Sequence, residues 1–172
     1  MTSLLRYVLA IIFAVFFASA SAADFSGTVV AVLDGDTIDV LVDKTPIRVR
    51  LAGIDAPEKS QPFGSRSKIA LSNLVYAKQV LVQDQGPDRY GRRIGFVWMD
   101  GVSINLRQVE AGMAWVYRQY TNDASFLRAE TNARAIRRGL WTDTSPVPPW
   151  EYRHSTGVRT SETARPLSLL GK

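Results

Sequence analysis

Apolar and polar positions alternate along the first third of the chain and regroup at helical spacing after it. Val30 to Leu33 and Ile38 to Val42 are β-branched, apolar runs with Asp-Gly between them, a hairpin signal. Ile47, Val49 and Leu51 then alternate with Arg48 and Arg50, which predicts a third strand with one apolar face. The period changes in "PFGSRSKIALSNLVYAK", where Ala70, Leu71, Leu74 and Val75 make a helical stripe. "QVLVQD" reads as a short strand, "QGPDRYGRR" as a polar loop and "IGFVWMD" as another strand. Past the turn at Asp100-Gly101, Ser103 can cap a short helix with Ile104, Leu106 and Val109 facing inward. "GMAWVY" is a brief extended piece. The last helix is expected from near Asp123 to Arg138. Its seam is Phe126, Ala129, Ala133, Ile136 and Leu140, and Gly139 is its stop.

The prolines of "TDTSPVPPWEYR" argue against helix or sheet interior, so a strap along the surface is expected there. Residues 151–172 are assigned to a polar C-terminal tail, aperiodic from about His154 and expected to be disordered. About five short strands with turn signals, and about three helices, predict an α+β fold, mainly β. The expected form is a five-stranded Greek-key barrel of the OB type with the helices packed on it, over residues 24–150. No internal repeat interrupts this reading.

The first 22 residues stand apart. Arg6 precedes an apolar run from Tyr7 to Ala18, and Ala20-Ser21-Ala22 fits the small-x-small rule for cleavage. The run is short of the ~20 residues of a spanning helix. A signal peptide cleaved after Ala22, with Ala23 as the alternative, predicts a secreted or periplasmic protein without stable membrane association. There is no cysteine, so disulfides and thiolate chemistry are excluded. The formal charge of the chain is +5, and losing Arg6 lowers it by one. A basic exported domain suits polyanions.

The only histidine is His154, in the expected tail. Nucleases built on paired histidines, and Ser-His-Asp chemistry, therefore lack their base. Zinc lacks its usual ligands. Catalysis is left to carboxylates, arginines, tyrosines and a hard cation. "LDGDT" offers Asp34, Asp36 and Thr37; "IDAPE" offers Asp55 and Glu58; "DRYGRR" offers Asp88, Arg89, Tyr90, Arg92 and Arg93. Oxygen donors of this kind suit Ca²⁺ or Mg²⁺. "DGDT" does not open an EF-hand, since Asp39 and Thr45 stand where that loop needs Gly and Glu. Taken singly, each of these stretches reads as a solvated turn.

Taken together and in order, "AVLDGDTIDV", "RVRLAGIDAPE", "DRYGRRIGFVW", "SINLRQVEAGMAWVY" and "RGLW" resemble the staphylococcal-nuclease (thermonuclease) family from about Thr28 to Trp141. The resemblance implies a five-stranded OB barrel with three helices. It implies a Ca²⁺-dependent phosphodiesterase that cuts DNA and RNA and leaves 3′-phosphates. By the same resemblance, Asp36 and Asp55 would bind Ca²⁺ by carboxylate and Ala56 by its carbonyl, with Thr37 near the metal's water shell. Ala56 departs from the family's usual Thr, which matters little if only the carbonyl binds. Glu58 would act as general base or orient the attacking water, and Arg50 and Arg92 would bracket the phosphate. Tyr90 matches a family tyrosine near the phosphate. Tyr117 and Tyr120 are candidates for stacking on a base, with ordinary packing as the alternative for each. The loop after Glu58 is shorter than in the best-known member, and "PVPPWEYR" lies outside the family core. The competing reading is a non-catalytic nucleic-acid-binding OB module. In either case a monomer is expected.

Overall fold

The computed structural model of the chain describes residues 23–156; the expected signal peptide and residues 157–172 of the expected tail lie outside the described residues. The alternating segments form β1 (Phe25–Val32), β2 (Thr37–Val42) and β3 (Thr45–Leu51). A two-residue strand, β4 (Ile54–Asp55), precedes α1 (Gly64–Val75). There follow β5 (Gln79–Pro87), β6 (Arg93–Met99), β7 (Val102–Ser103) and α2 (Ile104–Glu110). The chain continues through β8 (Trp115–Val116), α3 (Ala124–Ala135), a 3₁₀ turn at Gly139–Thr142 and α4 (Pro149–Thr156).

The sheet order β3-β2-β1-β5-β6-β7 is antiparallel until β6 returns to β3, where a parallel pairing of Val49–Leu51 with Arg93–Gly95 closes the barrel. A register shift between Val29 and Ala31 re-phases β1, so that Val29 and then Val32 both reach the interior. Val29, Ile38, Val40, Val49, Val82 and Val97 fill that interior, and Leu71 and Val75 of α1 and Ile104 and Val109 of α2 join the same core. The expected five-stranded, OB-type barrel of a mainly β, α+β fold is what forms. Ser103 caps α2 as expected, its side chain accepting the Leu106 N–H.

Three local expectations are corrected. The last long helix ends at Ala135, because Arg137 turns left-handed at φ 52°; Ile136 therefore leaves the seam and is exposed. Gly139 opens the 3₁₀ turn rather than stopping the helix, and that turn buries Leu140 and Trp141. The Pro-rich extension, expected to be non-helical with a disordered tail after it, instead starts a helix. Pro149 is the first residue of α4, where its missing N–H costs no helical bond, and residues 149–156 are helical. Among the described residues, no helix is long and apolar enough to cross a membrane.

Candidate active site

The site begins with two tight approaches of backbone. Gly35, in the β1–β2 turn, sits so close to α1 that a Cβ there would lie 1.8 Å from the Ser67 hydroxyl and 2.7 Å from the Ala56 methyl. Gly64, at the start of α1, faces the Glu58 carbonyl, which a Cβ would meet at 2.0 Å. These contacts bring the 34–37 turn and the 55–61 loop together at one end of the barrel. From below, the buried Gln108 of α2 holds the turn, its amide donating to the Gly35 carbonyl at 2.7 Å and to the Ser67 carbonyl at 3.3 Å.

On that base stand two buried carboxylates with a guanidinium between them. Register pairs Thr37 with Arg50, so the end of β3 carries Arg50 past the turn. Arg50 Nη1 lies 2.6 Å from Asp36 Oδ2, and Nη2 donates to Asp55 Oδ1 at 2.8 Å. Nη1 also donates to the Ile54 carbonyl at 3.2 Å. Asp36 Oδ2 accepts the Ala56 N–H at 2.6 Å, and Oδ1 accepts the Thr37 hydroxyl at 3.1 Å. Burial pushes the Asp36 carboxyl up to about 7, although Arg50 works against it. Asp55 is raised for the same reason, with Arg50 and Arg153 opposing. Burial alone would depress Arg50, but Asp36 and Asp55 outweigh it and hold the guanidinium above its ordinary value.

Glu58 stands beside Asp55 at the rim, its N–H donating to the Gln61 side chain at 3.1 Å. What joins Glu58 to Asp55 is Arg153 of α4. Its Nη1 donates to Glu58 Oε1 at 2.7 Å, and Nη2 donates to Asp55 Oδ2 at 2.8 Å. Burial would lower the Arg153 guanidinium, but hydrogen bonds to Asp55 and the charges of Asp55 and Glu58 overcome it and hold the group above its ordinary value. Sequence reasoning makes this segment a strap without function and misses Arg153. A signal is present, because Pro149 can begin a helix and Trp150 and Arg153 are then one turn apart on the same side.

The other expected residues lie on flanking elements. Arg92 immediately precedes Arg93, which pairs with Val49, so β6 carries it alongside β3. Its guanidinium is engaged by Asp88, with Nη2 2.7 Å from Oδ2. Burial opposes ionisation of Asp88, but bonds from the Arg92 side chain and the Tyr90 and Arg92 N–H groups together outweigh it and hold its carboxyl below the usual range. Tyr90 is half exposed, with the Arg89 guanidinium 4.7 Å from its ring centre. Tyr117 is stacked on Trp150 of α4 at 5.4 Å and an interplanar angle of 4°, so one of its faces is occupied by the protein. Tyr120 meets Tyr117 edge-on and is largely exposed.

Comparison with known proteins gives this arrangement a family. Residues 48–143 match the family model described as staphylococcal nuclease homologue. Protein ParB of Escherichia coli is 46% identical over 156 residues, covering 84% of this chain and 88% of the relative. A micrococcal nuclease of Shigella flexneri is 45% identical over 150 residues, covering 81% and 86%. An uncharacterized endonuclease of Escherichia coli O157:H7 is 48% identical over 133 residues, covering 77% and 87%. With the barrel closed and the acidic turns gathered at one end, the chain belongs to the staphylococcal nuclease homologue family and shares its enzyme class, a nuclease.

Proposed function

We propose that the chain is an exported, Ca²⁺-dependent nuclease that hydrolyses phosphodiester bonds of DNA and RNA as a monomer and leaves 3′-phosphates. The observation that carries this reading is the Asp36–Arg50–Asp55 arrangement, two buried carboxylates bridged by one guanidinium with Glu58 at the rim.

The donor set fits a hard cation. Among the described residues, no group of three or more acidic, histidine or cysteine side chains gathers as a metal cage. The fit rests on the carboxylates of Asp36 and Asp55, the Ala56 carbonyl and water, an oxygen-only set with Thr37 beside it. When bound, such a cation would polarise phosphoryl oxygens and offset the charge of the phosphodiester.

The chain's own residues supply the rest. Glu58 orients water towards phosphorus and accepts its proton as the P–O bond to the 5′ oxygen breaks; the 5′ oxygen takes a proton from solvent, and Glu58 returns its own to solvent afterwards. Arg50, fixed by both carboxylates, keeps further N–H donors for a phosphate oxygen. Arg92 stands just before β6, the strand that pairs with β3, and together the two guanidiniums would stabilise charge that grows in the transition state. Tyr90 and Tyr120 have the exposure to meet substrate.

The test is incubation of the purified protein with plasmid, single-stranded DNA and RNA in Ca²⁺, in Mg²⁺ and in chelator, with end-group analysis of the products. Cleavage that requires Ca²⁺ and leaves 3′-phosphates supports the reading. Binding of nucleic acid without cleavage in any arm would replace it with the non-catalytic module.

A further inference from the structure

Arg153 occupies the lone pairs that a metal needs. Its fork covers Asp55 from both sides, Nη2 donating to Oδ2 at 2.8 Å and Nη1 to Oδ1 at 3.2 Å. Oδ1 also accepts from Arg50 at 2.8 Å. The same Nη1 reaches Glu58 Oε1 at 2.7 Å. A guanidinium here neutralises the pair and takes up acceptor positions that a divalent cation would use, and two positive centres a few ångströms apart repel.

The helix that carries Arg153 is docked by contacts of its own. Trp150 stacks on Tyr117 and meets the edge of Trp115 at 5.8 Å. The Tyr152 hydroxyl donates to the Ser60 carbonyl at 3.2 Å. Just before the helix, the Val147 carbonyl accepts from Gln61 at 2.6 Å. The last two contacts grip the loop that carries Glu58, so α4 is docked by bonds that do not involve the Arg153 side chain. The Arg153 side chain is about one-fifth exposed and has solvent to swing into.

We propose that Arg153 sets the metal affinity of the active site: it is the internal counter-ion of Asp55 and Glu58 and is exchanged for the divalent cation. This rests on the metal reading given under Proposed function. It makes α4, outside the matched family segment of residues 48–143, a working part of the site.

The experiment is calorimetric titration of Ca²⁺ into the purified chain, as its host processes it, and into Arg153→Met and Arg153→Lys. Thermal midpoints are taken in chelator and in saturating Ca²⁺. Arg153→Met is expected to bind Ca²⁺ about tenfold more tightly, since it removes a competitor and a repelling charge. Arg153→Lys keeps the charge but loses the fork and should fall between. The midpoint of Arg153→Met should drop in chelator and recover in Ca²⁺, whereas a purely structural arginine lowers both alike. Equal or weaker binding by folded Arg153→Met overturns the proposal. If that variant does not fold, wild-type affinity in Arg153→Lys overturns it. If neither wild type nor variants bind Ca²⁺, the metal reading itself fails, an outcome distinct from equal binding by all three.

Discussion

Asp36 and Ala56, twenty positions apart, are joined at 2.6 Å, the Ala56 N–H donating to the Asp36 carboxylate. This bond ties the β1–β2 turn to the loop after β4 and orients one carboxylate against the segment that carries the other. It also explains why a turn that reads in isolation as a surface hairpin is buried, with Asp36 only 5% exposed.

The first prediction concerns pH. Asp36 titrates near 7 in the folded protein against 3.8 when unperturbed, so its folded value is raised. A group of that kind contributes stability that is full below the unfolded value and is lost as pH rises through the folded one. In chelator, thermal stability should therefore fall from about pH 4 to about pH 7. Asp36→Asn should reduce that slope in the same scan, leaving the part due to Asp55, which is raised as well.

Arg50 is the counter-charge of two buried carboxylates. Arg50→Met leaves Asp36 without a counter-charge and Asp55 with Arg153 alone, and should cost about 3–5 kcal/mol in denaturant unfolding without metal. Arg50→Lys should cost less stability but still depress cleavage, because a point charge cannot reproduce the fork.

Glu58→Gln keeps shape and an acceptor for Arg153 but cannot take a proton. Its kcat on DNA should fall about 10²–10³-fold, by comparison with the loss of one transition-state electrostatic group, with KM little changed. Steady-state assays beside a circular-dichroism control decide it.

Gly35→Ala should destabilise the protein by about 1–3 kcal/mol through overpacking against Ser67 and Ala56. The φ of Gly35 is not in the left-handed region, so the cost comes from the missing space alone. Ser67→Ala in the same chain should recover part of it in chemical denaturation.

Trp150→Ala removes the stack on Tyr117 and the edge contact with Trp115. A loss of about 1–3 kcal/mol is expected from the two aromatic pairs. Hydrogen exchange should show reduced protection in residues 149–156 while the barrel strands keep theirs.

Much of this architecture is written into local pattern. Alternation in Ile47, Val49 and Leu51 and the helical stripe through Leu71 and Val75 report which side of an element is buried, and burial is what selects strand or helix. Asp36, Arg50, Asp55 and Glu58 are identifiable because their motifs are short and contiguous. What no local pattern carries is which distant segments meet. The stacking of Trp150 on Tyr117, the reach of Arg153 to Glu58 across ninety-five positions, and the space that Gly35 must leave for Ser67 exist only once the barrel has closed. The prolines before α4 read as helix breakers when judged by propensity alone. The helix is held by contacts to the 58–61 loop and to Tyr117, and such contacts outweigh propensity whenever a short segment finds a surface to pack on. Sequence alone determined the barrel and the chemical types at its mouth. The tertiary structure decided their partners, because charge pairing and close packing depend on distance in space, and the order of residues along the chain does not contain it.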